Sequence, residues 1–540
     1  MKKISRFYKN ISWSDSHWLL FFFLAAVFLW MLGLGNVPLR DWDEGSHAIV
    51  AREIYRQGNW LHLTYFDTPY FIKPPLVYWL IAIGYHLWGG VGEFSSRVNL
   101  AFLTACGVPL LYLLGREIFS RRLEAILSAL VYLTLLPVLR HGRLVMLDGI
   151  INTFFICLLL CLLKERKKQI WALGIGICLG LITLTKGILV LALWAIAGVF
   201  VLVDRQWKLF VNPYAWLGLI LGIAIAVPWY WLQWETHGDF FIELYFKSQS
   251  LERLSSAVEG NAGTPWYYLI ELGKYSMPWL SFLPGGLWLA GKHRGKSWSN
   301  LVLIGTILFL GTISLMQTKL PWYIMPYYPF FALTVGAYLA YLWQEKHAYS
   351  RFFVGLFSIF SLVACGGFIY FLITHHPLTL ILMSVTIAGT MGLTTWWLWE
   401  RDRRFMPTLF IGLYLSLALL MLSPDWLWEI NEQYPVLKVA AIVKEYTPEK
   451  TIIYTSFPHH RPSLEFYSDR QILSTPPDTL QQLWETGQYL LLDRPTFASL
   501  QLPDTAILGE AILEEDEDFV LVKNPVATLQ QRRYRVTDLV

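Results

Sequence analysis

The sequence has few charged residues for its length, and its cysteines lie only in apolar surroundings. Asp, Glu, Lys and Arg make up 15% of the 540 residues, whereas 55% are hydrophobic and the mean hydropathy is +0.44. Soluble domains usually contain about a quarter charged residues, so an ordinary soluble enzyme is excluded and a polytopic α-helical membrane protein is indicated. Because no cysteine lies outside an apolar run, neither a disulfide framework nor a cysteine metal site is supported. The five cysteines are Cys106, Cys157, Cys161, Cys178 and Cys365.

The last part of the chain, residues 424–540, lacks the motifs of common catalytic folds. It contains no Gly-rich phosphate loop, no nucleophile elbow and no metal-ligand spacing. It carries 18 acidic and 10 basic side chains, although the whole chain has a net charge of +4. Its β-rich runs and helix-like stretches lie at 451–457, 488–494, 519–523, 436–446 and 478–486. This alternation predicts a small α/β domain outside the membrane, beside a transmembrane domain at 1–423.

Apolar runs of about 20 residues alternate with basic clusters, and together they predict the topology. The basic clusters are expected in the cytoplasm, and the first run follows a basic start without a cleavage site, so the amino terminus is expected there too. Because each span carries the chain to the other side of the membrane, the number of spans between two cytoplasmic clusters must be even. This rule leaves the short run 76–88 as a helix on the outer face, and it predicts about thirteen spans with an external carboxyl terminus. The spans are predicted at roughly 18–34, 98–118, 122–138, 147–163, 169–184, 188–203, 214–233, 276–290, 299–316, 322–343, 351–373, 378–399 and 405–422.

The first external loop, residues 35–96, concentrates unusual polar residues against a hydrocarbon boundary. Asp41, Asp43, Glu44 and His47 precede a Lys-Pro-Pro turn that begins at Lys73. Charges are costly at such a boundary and therefore indicate a site, although a solvated interhelical loop is the alternative. The Asp41-Trp42-Asp43 spacing is that of a metal-nucleotide DxD motif, which we interpret as coincidental because no nucleotide fold accompanies it.

Carboxylates and cations on one side of a membrane are suited to group transfer from a lipid phosphate. Asp43 or Glu44 could deprotonate an acceptor hydroxyl, while Lys73, Arg253 and Lys186 could neutralise the leaving phosphate. The segment 239–253 has apolar residues at helical spacing and is predicted to lie along the interface.

The order of several motifs resembles one family. The sequence is similar to the polyprenyl-phosphate-sugar-dependent glycosyltransferases of the GT-C superfamily, in the bacterial branch related to protein O-mannosyltransferases and typified by the lipid A aminoarabinose transferase. The matching pieces span about the first 330 residues. They are DE with AREI (43–44, 51–54), KPPLVYW (73–79), EFSSRV (93–98), GRLVMLD (142–148), LTKG (184–187), LERL with PWYYL (251–254, 265–269) and TKLPWYIMPYYP (318–329).

This resemblance implies an inverting transferase in the bacterial inner membrane, acting at its outer face. The donor would be a polyprenyl-phosphate sugar, the acceptor a lipid, glycan or protein, and no nucleic acid would be involved. The implied roles are Asp43 as base, Asp148 as a second external acid, Lys73 and Arg253 as phosphate contacts, and Lys319 and Tyr323 as cavity residues. Lys186 and His47 complete the predicted substrate-binding set. A GT-C bundle of thirteen spans with an external α/β domain is the implied fold.

Two departures from the aminoarabinose branch affect cofactor and substrate. Where that branch has candidate metal ligands, a Glu and a His, this chain has Ile72 and Ser250. Metal dependence is therefore not carried over with the resemblance. After the DE pair, the chain reads Gly45-Ser46-His47 instead of Thr-Arg-Tyr, so the sugar and the acceptor are left unassigned.

Two other classes of protein share parts of this pattern. A lipid or solute transporter would also have many spans, but its site is expected at mid-membrane on broken helices, often with internal repeats. No clear mid-span charge or half-to-half repeat occurs in the sequence. A polysaccharide polymerase or ligase would use the same lipid-linked donors, but the ordered DE, KPP and LTKG pieces favour simple sugar transfer.

Overall fold

The computed structural model describes residues 13–251, 261–345, 349–427, 436–512 and 518–525, with backbone only for 248–251. Among the described residues, eight helices are long and apolar enough to cross a membrane, or nine if one bent pair is a single span. Three shorter apolar helices, of 10–17 residues, accompany them. The chain is therefore a mostly helical protein of the membrane type, as the sequence predicts.

Nineteen α-helices are described before residue 424. They are α1 (Asp15–Met31), α2 (Asp43–Gln57), α3 (Leu76–Leu87), α4 (Glu93–Ala105), α5 (Gly107–Ile118), α6 (Arg122–Leu133), α7 (Leu136–Arg143), α8 (Leu147–Glu165), α9 (Ala172–Lys186), α10 (Leu189–Val203), α11 (Pro213–Ile242), α12 (Tyr267–Tyr275), α13 (Leu283–Lys292), α14 (Ser297–Ile304), α15 (Leu310–Leu315), α16 (Tyr328–Gln344), α17 (Arg351–Ile373), α18 (Leu378–Trp399) and α19 (Phe405–Leu422). Shorter 3₁₀ segments are Gln169–Trp171, Trp207–Val211, Trp279–Phe282 and Pro321–Tyr327, and π-helical segments are Glu243–Leu251 and Gly305–Phe309.

Two predicted features differ from the structure, and proline accounts for both. The segment 139–147, predicted as an external loop, is helical as far as Arg143, and α7 bends from α6 by 57°. Pro137 lacks the N–H that would continue α6, so the helix breaks there. The predicted span 276–290 is not one α-helix: Pro278 precedes the 3₁₀ segment Trp279–Phe282, and α13 begins only at Leu283, with Pro284 as its second residue.

Helices α9 and α11 pack through two pairs of glycines. A Cβ at Gly176 would lie 2.0 Å from the backbone of Gly218, and a Cβ at Gly180 would lie 2.6 Å from the carbonyl oxygen of Gly222. The four-residue spacing in both helices places these glycines on one face, which lets the two backbones touch. This contact fixes the helix that ends at Lys186.

The first loop folds as α2, a two-stranded hairpin and α3. The hairpin pairs β1 (Thr64–Tyr65) with β2 (Thr68–Pro69), and α3 is the short helix predicted from parity at 76–88. In the segment 239–253, the last four residues of α11 follow a non-helical residue, Gly238, at φ 56°. Glu243–Leu251 then form π-helical backbone, and residues 252 and 253 lie outside the described part of the chain.

The C-terminal segment forms a mixed five-stranded sheet in the order β4-β3-β5-β7-β6. Strand β3 pairs in parallel with β4 and β5, and β7 pairs antiparallel with β5 and β6. Alternation of side chains along β5 places Leu490 and Leu492 against one helix layer and Leu491 against the other. Its elements are α20 (Val436–Tyr446), β3 (Ile452–Thr455), α21 (Pro462–Ser468), β4 (Gln471–Ser474), α22 (Pro477–Glu485), β5 (Tyr489–Asp493), α23 (Arg494–Ser499), β6 (Ile507–Ala511) and β7 (Phe519–Lys523).

Candidate active site

The first turn of α2 carries three of the predicted site residues. Asp43 and His47 are four positions apart and therefore share one face of the helix, whereas Glu44 is rotated away from it. Glu44 and His47 are buried, and Asp43 is partly accessible. The backbone N–H groups at this end of the helix favour both carboxylates.

Glu44 is held by four hydrogen bonds from three separate segments. Its carboxylate accepts from Arg97 Nε at 2.9 Å and Arg97 Nη2 at 2.7 Å, and from the backbone N–H groups of Arg40 and Val145 at 2.7 Å each. Burial alone raises the pKa of Glu44, but Arg97 outweighs this and lowers it. Glu44 is therefore a buried anion whose bonds join the first loop to α4 and to the start of α8.

Arg97 also binds the chain that enters the first loop. Its two Nη atoms donate to the carbonyl oxygens of Leu34, Val37 and Pro38 at 2.9 to 3.1 Å. The guanidinium is fully buried, so a planar donor set with five N–H groups is well matched to these oxygens and to Glu44. The ion pair therefore fixes where the chain turns into α2.

A cavity of about 320 Å³ is formed by residues from the Lys-Pro-Pro turn and from several helices. One end is polar, and most of the remaining wall is aliphatic or aromatic. The lining residues are Ile72, Lys73, Asp148, Lys186, Ile188, Leu189, Leu191, Ala192, Tyr245, Phe309, Thr312, Ile313, Met316 and Tyr323. Such a cavity offers charge at one end and a surface for a hydrocarbon at the other.

The polar end is built from residues that are far apart in the sequence. Lys186 Nζ lies 2.7 Å from Asp148 Oδ1, and it also lies 4.9 Å from the ring centroid of Tyr323. Asp148 is the second residue of α8, and Lys186 is the last residue of α9. The structure thus brings together Lys73, Asp148, Lys186 and Tyr323, which the sequence placed in one site.

Asp43 is not one of the lining residues, but it lies close enough to Lys73, Lys186 and Asp148 of the polar end to interact with their charges. Burial alone raises the pKa of Asp43, but His47, Arg40, Lys73 and Lys186 outweigh it and hold the pKa below its usual value. Burial lowers the pKa of His47, against the opposing effect of the Asp43 carboxylate. Asp43 is consequently an ionised carboxylate beside two lysines of the cavity.

Lys319 was expected to line the cavity, but its ammonium points elsewhere. Nζ donates to the carbonyl oxygens of Ile313 at 2.9 Å and Ser314 at 2.8 Å, at the carboxyl end of α15. Burial lowers the pKa of Lys319. Since Ile313 belongs to the cavity wall, Lys319 shapes this wall from behind and is absent from the lining.

Arg253, predicted to contact the phosphate, lies outside the described residues.

Two positions correspond to the candidate metal ligands of the aminoarabinose branch. Ile72 is at the cavity and supplies no donor atom, and the side chain of Ser250 is not described. Among the described residues, no group of three His, Cys, Asp or Glu side chains could hold a metal ion. At position 72, where the aminoarabinose branch has a Glu, this chain therefore has a side chain that cannot bind a metal ion.

The structure adds residues that sequence reasoning did not assign. Arg97 lies inside the EFSSRV motif, which is the one signal that could have identified it. Arg40 acts on Asp43, and its guanidinium lies 5.0 Å from the ring centroid of Trp322. Asp41 accepts hydrogen bonds from Arg461 and Ser463 of the C-terminal segment, so the DxD spacing reflects a contact between two parts of the chain.

The overall fold is similar to those of membrane proteins whose structures have been solved. The crystal structure of ArnT from Cupriavidus metallidurans bound to undecaprenyl phosphate is similar with a TM-score of 0.76 and 20% identity, covering 95% of this chain and 98% of that one. An oligosaccharyltransferase from Archaeoglobus fulgidus has a TM-score of 0.54 and 13% identity, covering 89% and 70%. These likenesses concern the fold.

Sequence similarity relates part of the chain to one group of transferases. The family model for dolichyl-phosphate-mannose-protein mannosyltransferases matches residues 72–232. An undecaprenyl phosphate-α-4-amino-4-deoxy-L-arabinose arabinosyl transferase of Pseudomonas fluorescens is 29% identical over 58% of each chain. Its counterpart in Erwinia tasmaniensis is 30% identical over 57% of this chain and 56% of its own. The chain thus matches less than two thirds of these relatives' length, and the resemblance to the aminoarabinose transferase-like GT-C family is confirmed.

Proposed function

We propose that the protein is an inverting glycosyltransferase that moves a sugar from a polyprenyl-phosphate carrier to a hydroxyl acceptor. The observation that carries this proposal is the position of Asp43. Its carboxylate interacts electrostatically with Lys73 and Lys186, which form the polar end of a cavity whose other walls are apolar. The similarity to undecaprenyl-phosphate-dependent relatives supports the same donor class.

In the proposed reaction Asp43 is the base. It takes the proton of the acceptor hydroxyl while that oxygen attacks the anomeric carbon of the sugar. The bond between this carbon and the phosphate oxygen breaks, and its electron pair leaves with the phosphate. Attack from the side opposite the phosphate inverts the anomeric configuration. The Glu44 carboxylate already accepts hydrogen bonds from Arg97 and from two backbone N–H groups. Glu44 therefore positions Asp43 and takes no proton.

The cations of the cavity act on the leaving group. The phosphate gains negative charge as the sugar departs, and Lys73 and Lys186 stabilise this charge best when it is largest. Lys186 is already 2.7 Å from Asp148, so the carboxylate orients the ammonium before the donor arrives. The aliphatic wall formed by Ile188, Leu189 and its neighbours accepts the first isoprene units.

The topology proposed from the sequence places this chemistry outside the cytoplasm. With basic loops on the inner side, the thirteen-span arrangement puts the first loop, the cavity and residues 424–540 at the outer face of a bacterial inner membrane. The C-terminal segment then forms the extracytoplasmic α/β domain. The acceptor is a lipid, a glycan or a protein that presents a hydroxyl on that face.

The direct test supplies donors and follows the label. Purified protein in lipid vesicles is incubated with a panel of radiolabelled polyprenyl-phosphate sugars and a membrane extract as the source of acceptors. Transfer of label from one donor, with the opposite anomeric configuration in the product, is the expected result. Uptake of intact donor into the vesicles without transfer would favour a transporter, and growth of a repeating glycan would favour a polymerase.

Replacing Lys73 by Ala should chiefly weaken donor binding. A charge-assisted hydrogen bond contributes about 1.5 to 3 kcal/mol, so the Kd for undecaprenyl phosphate should rise about 10- to 100-fold. The Kd is measured by titrating the purified variant in detergent with undecaprenyl phosphate. Lys167→Ala is the matched control, because this exposed lysine pairs with Glu117 at the protein surface. An unchanged Kd in Lys73→Ala would remove Lys73 from the phosphate site.

The rate of transfer should not fall as the pH is lowered from 8 to 5, so the pH profile should have no acid limb in that range. Because the pKa of Asp43 is lowered, its carboxylate stays ionised until the pH falls below the ordinary Asp value of about 3.9. Removing the Lys73 cation raises that pKa, so any acid limb should move to higher pH in Lys73→Ala. Transfer rates between pH 4.5 and 9, with reactivation at pH 7.5 as the control for unfolding, check both statements. A wild-type limb near pH 6.5 would contradict them. The charged groups around Asp43 are His47, Arg40, Lys73, Lys186 and Asp148.

A further inference from the structure

The helix that carries Asp43 touches the C-terminal segment at its first turn. A Cβ on Gly45 would lie 2.5 Å from the backbone nitrogen of Ser463 and 2.6 Å from the carbonyl carbon of Pro462. The two backbones are therefore in contact, and only glycine leaves room for this approach. Gly45 is two residues after Asp43 in the same helical turn.

A buried carboxylate holds the same contact from the other side of Asp43. Asp41 Oδ1 accepts hydrogen bonds from Ser463 Oγ at 2.9 Å and from the Ser463 backbone N–H at 3.2 Å. Its Oδ2 accepts from Arg461 Nη1 at 3.0 Å. Asp41 thus satisfies a backbone N–H at the start of α21, a task that an N-cap side chain usually performs within its own helix.

The backbone between these two contacts is strained. Trp42, which joins Asp41 to Asp43, has φ 65°, a region that a bulky residue rarely adopts. Such a conformation costs about 1 to 3 kcal/mol and persists only where neighbouring contacts impose it. Here the contacts are the hydrogen bonds of Asp41 with Ser463, before Trp42 in the chain, and the close backbone packing at Gly45 after it.

Further contacts join the rest of α2 to the same segment, away from the cavity. Arg52 donates to the carbonyl oxygen of Phe466 at 2.8 Å, and Arg56 forms a two-bond ion pair with Asp469 at 2.8 and 2.9 Å. Arg56 is in the last turn of α2, 13 residues after Asp43, which corresponds to about 20 Å along the helix. The two ends of one interface can therefore be altered separately.

We propose that α21 of the C-terminal segment is a positioning element for Asp43, acting through Asp41 and the backbone contact at Gly45. The proposal rests on the proposed function, in which Asp43 is the base. In this arrangement the C-terminal segment completes the active site without touching the donor. Asp41, Gly45 and Ser463 are positioning residues, because in this proposal they act only through Asp43.

The test compares variants at the two ends of α2 in the full-length protein. Asp41→Ala and Gly45→Ala should lower kcat at least 10-fold while the Kd for undecaprenyl phosphate changes less than threefold. Asp41→Asn should recover most of the activity lost in Asp41→Ala, because its amide oxygen still accepts from Ser463. Arg56→Gln, the control at the far end of α2, should leave kcat within twofold of wild type.

A second readout needs no turnover. Hydrogen exchange at the amides of the first turn of α2 should be faster in Asp41→Ala and Gly45→Ala but unchanged in Arg56→Gln. Faster exchange with unchanged kcat would overturn the positioning role, as would equal losses of kcat in Arg56→Gln and Asp41→Ala. If Gly45→Ala does not fold, the Asp41 series still decides. Failure of the wild type to use any polyprenyl-phosphate sugar would instead refute the proposed function, because that result does not involve the variants.

Discussion

Asp43→Asn should lose transfer by about 10²- to 10⁴-fold, the usual contribution of a general base. The amide has nearly the shape of the carboxylate but cannot accept the acceptor's proton at neutral pH. The ionised state of Asp43 depends on His47, Arg40, Lys73 and Lys186. All four remain in the variant, so the donor site keeps its cations.

The measurement is kcat for transfer from the donor that the wild type uses, together with the Kd for undecaprenyl phosphate. The Kd should be unchanged or lower, since a negative charge next to the phosphate has been removed. Asp67→Asn is the matched control: it lies in the same loop, is exposed, and bonds only Gln57 among the contacts described. Transfer above a tenth of the wild-type rate in Asp43→Asn would assign the base to another group.

Arg97→Ala should destabilise the fold more than any exposed charge substitution. Removing one partner of a buried ion pair costs about 3 to 5 kcal/mol, because the other charge is left without compensation. Here that charge is Glu44, and the carbonyl oxygens of Leu34, Val37 and Pro38 lose their donors as well. The expected result is a lower apparent midpoint of unfolding and a smaller folded fraction at 37 °C.

Thermal and denaturant unfolding of the detergent-solubilised protein, followed by tryptophan fluorescence, measures this effect. Arg494→Ala is the control, because Arg494 pairs with Glu510 on the surface at 2.6 Å and both side chains are about one-third exposed. Such pairs contribute about 0 to 1 kcal/mol. Equal unfolding midpoints for Arg97→Ala and Arg494→Ala would show that the Glu44 pair is not a determinant of stability.

Much of the local structure could be predicted because it depends on neighbouring residues. The β-rich runs at 451–457 and 519–523 are strands, and the helix-like stretch 436–446 is a helix with those bounds. Hydrophobic periodicity is a local property, and so is the turn that begins at Lys73. The convergence of Lys73 and Lys186 followed from placing their loops on one side of the membrane.

Contacts between distant segments could not be predicted in the same way. Glu44 and Arg97 are 53 residues apart, and no spacing rule assigns one as the partner of the other. Lys319 lies in a motif that was expected to line the cavity, yet its ammonium turns back to the free carbonyl groups of α15. Those carbonyls need donors, which is a requirement visible only once the end of the helix is known.

The contact between Asp41 and Ser463 joins positions that are 422 residues apart. At about 5 to 20 residues per second, a ribosome needs about 20 to 80 seconds to make the intervening chain. During that interval the first turn of α2 has been made but α21, which contacts it, has not. If α21 positions Asp43 as proposed, a chain that ends before residue 463 should transfer no sugar, even after its helices have entered the bilayer.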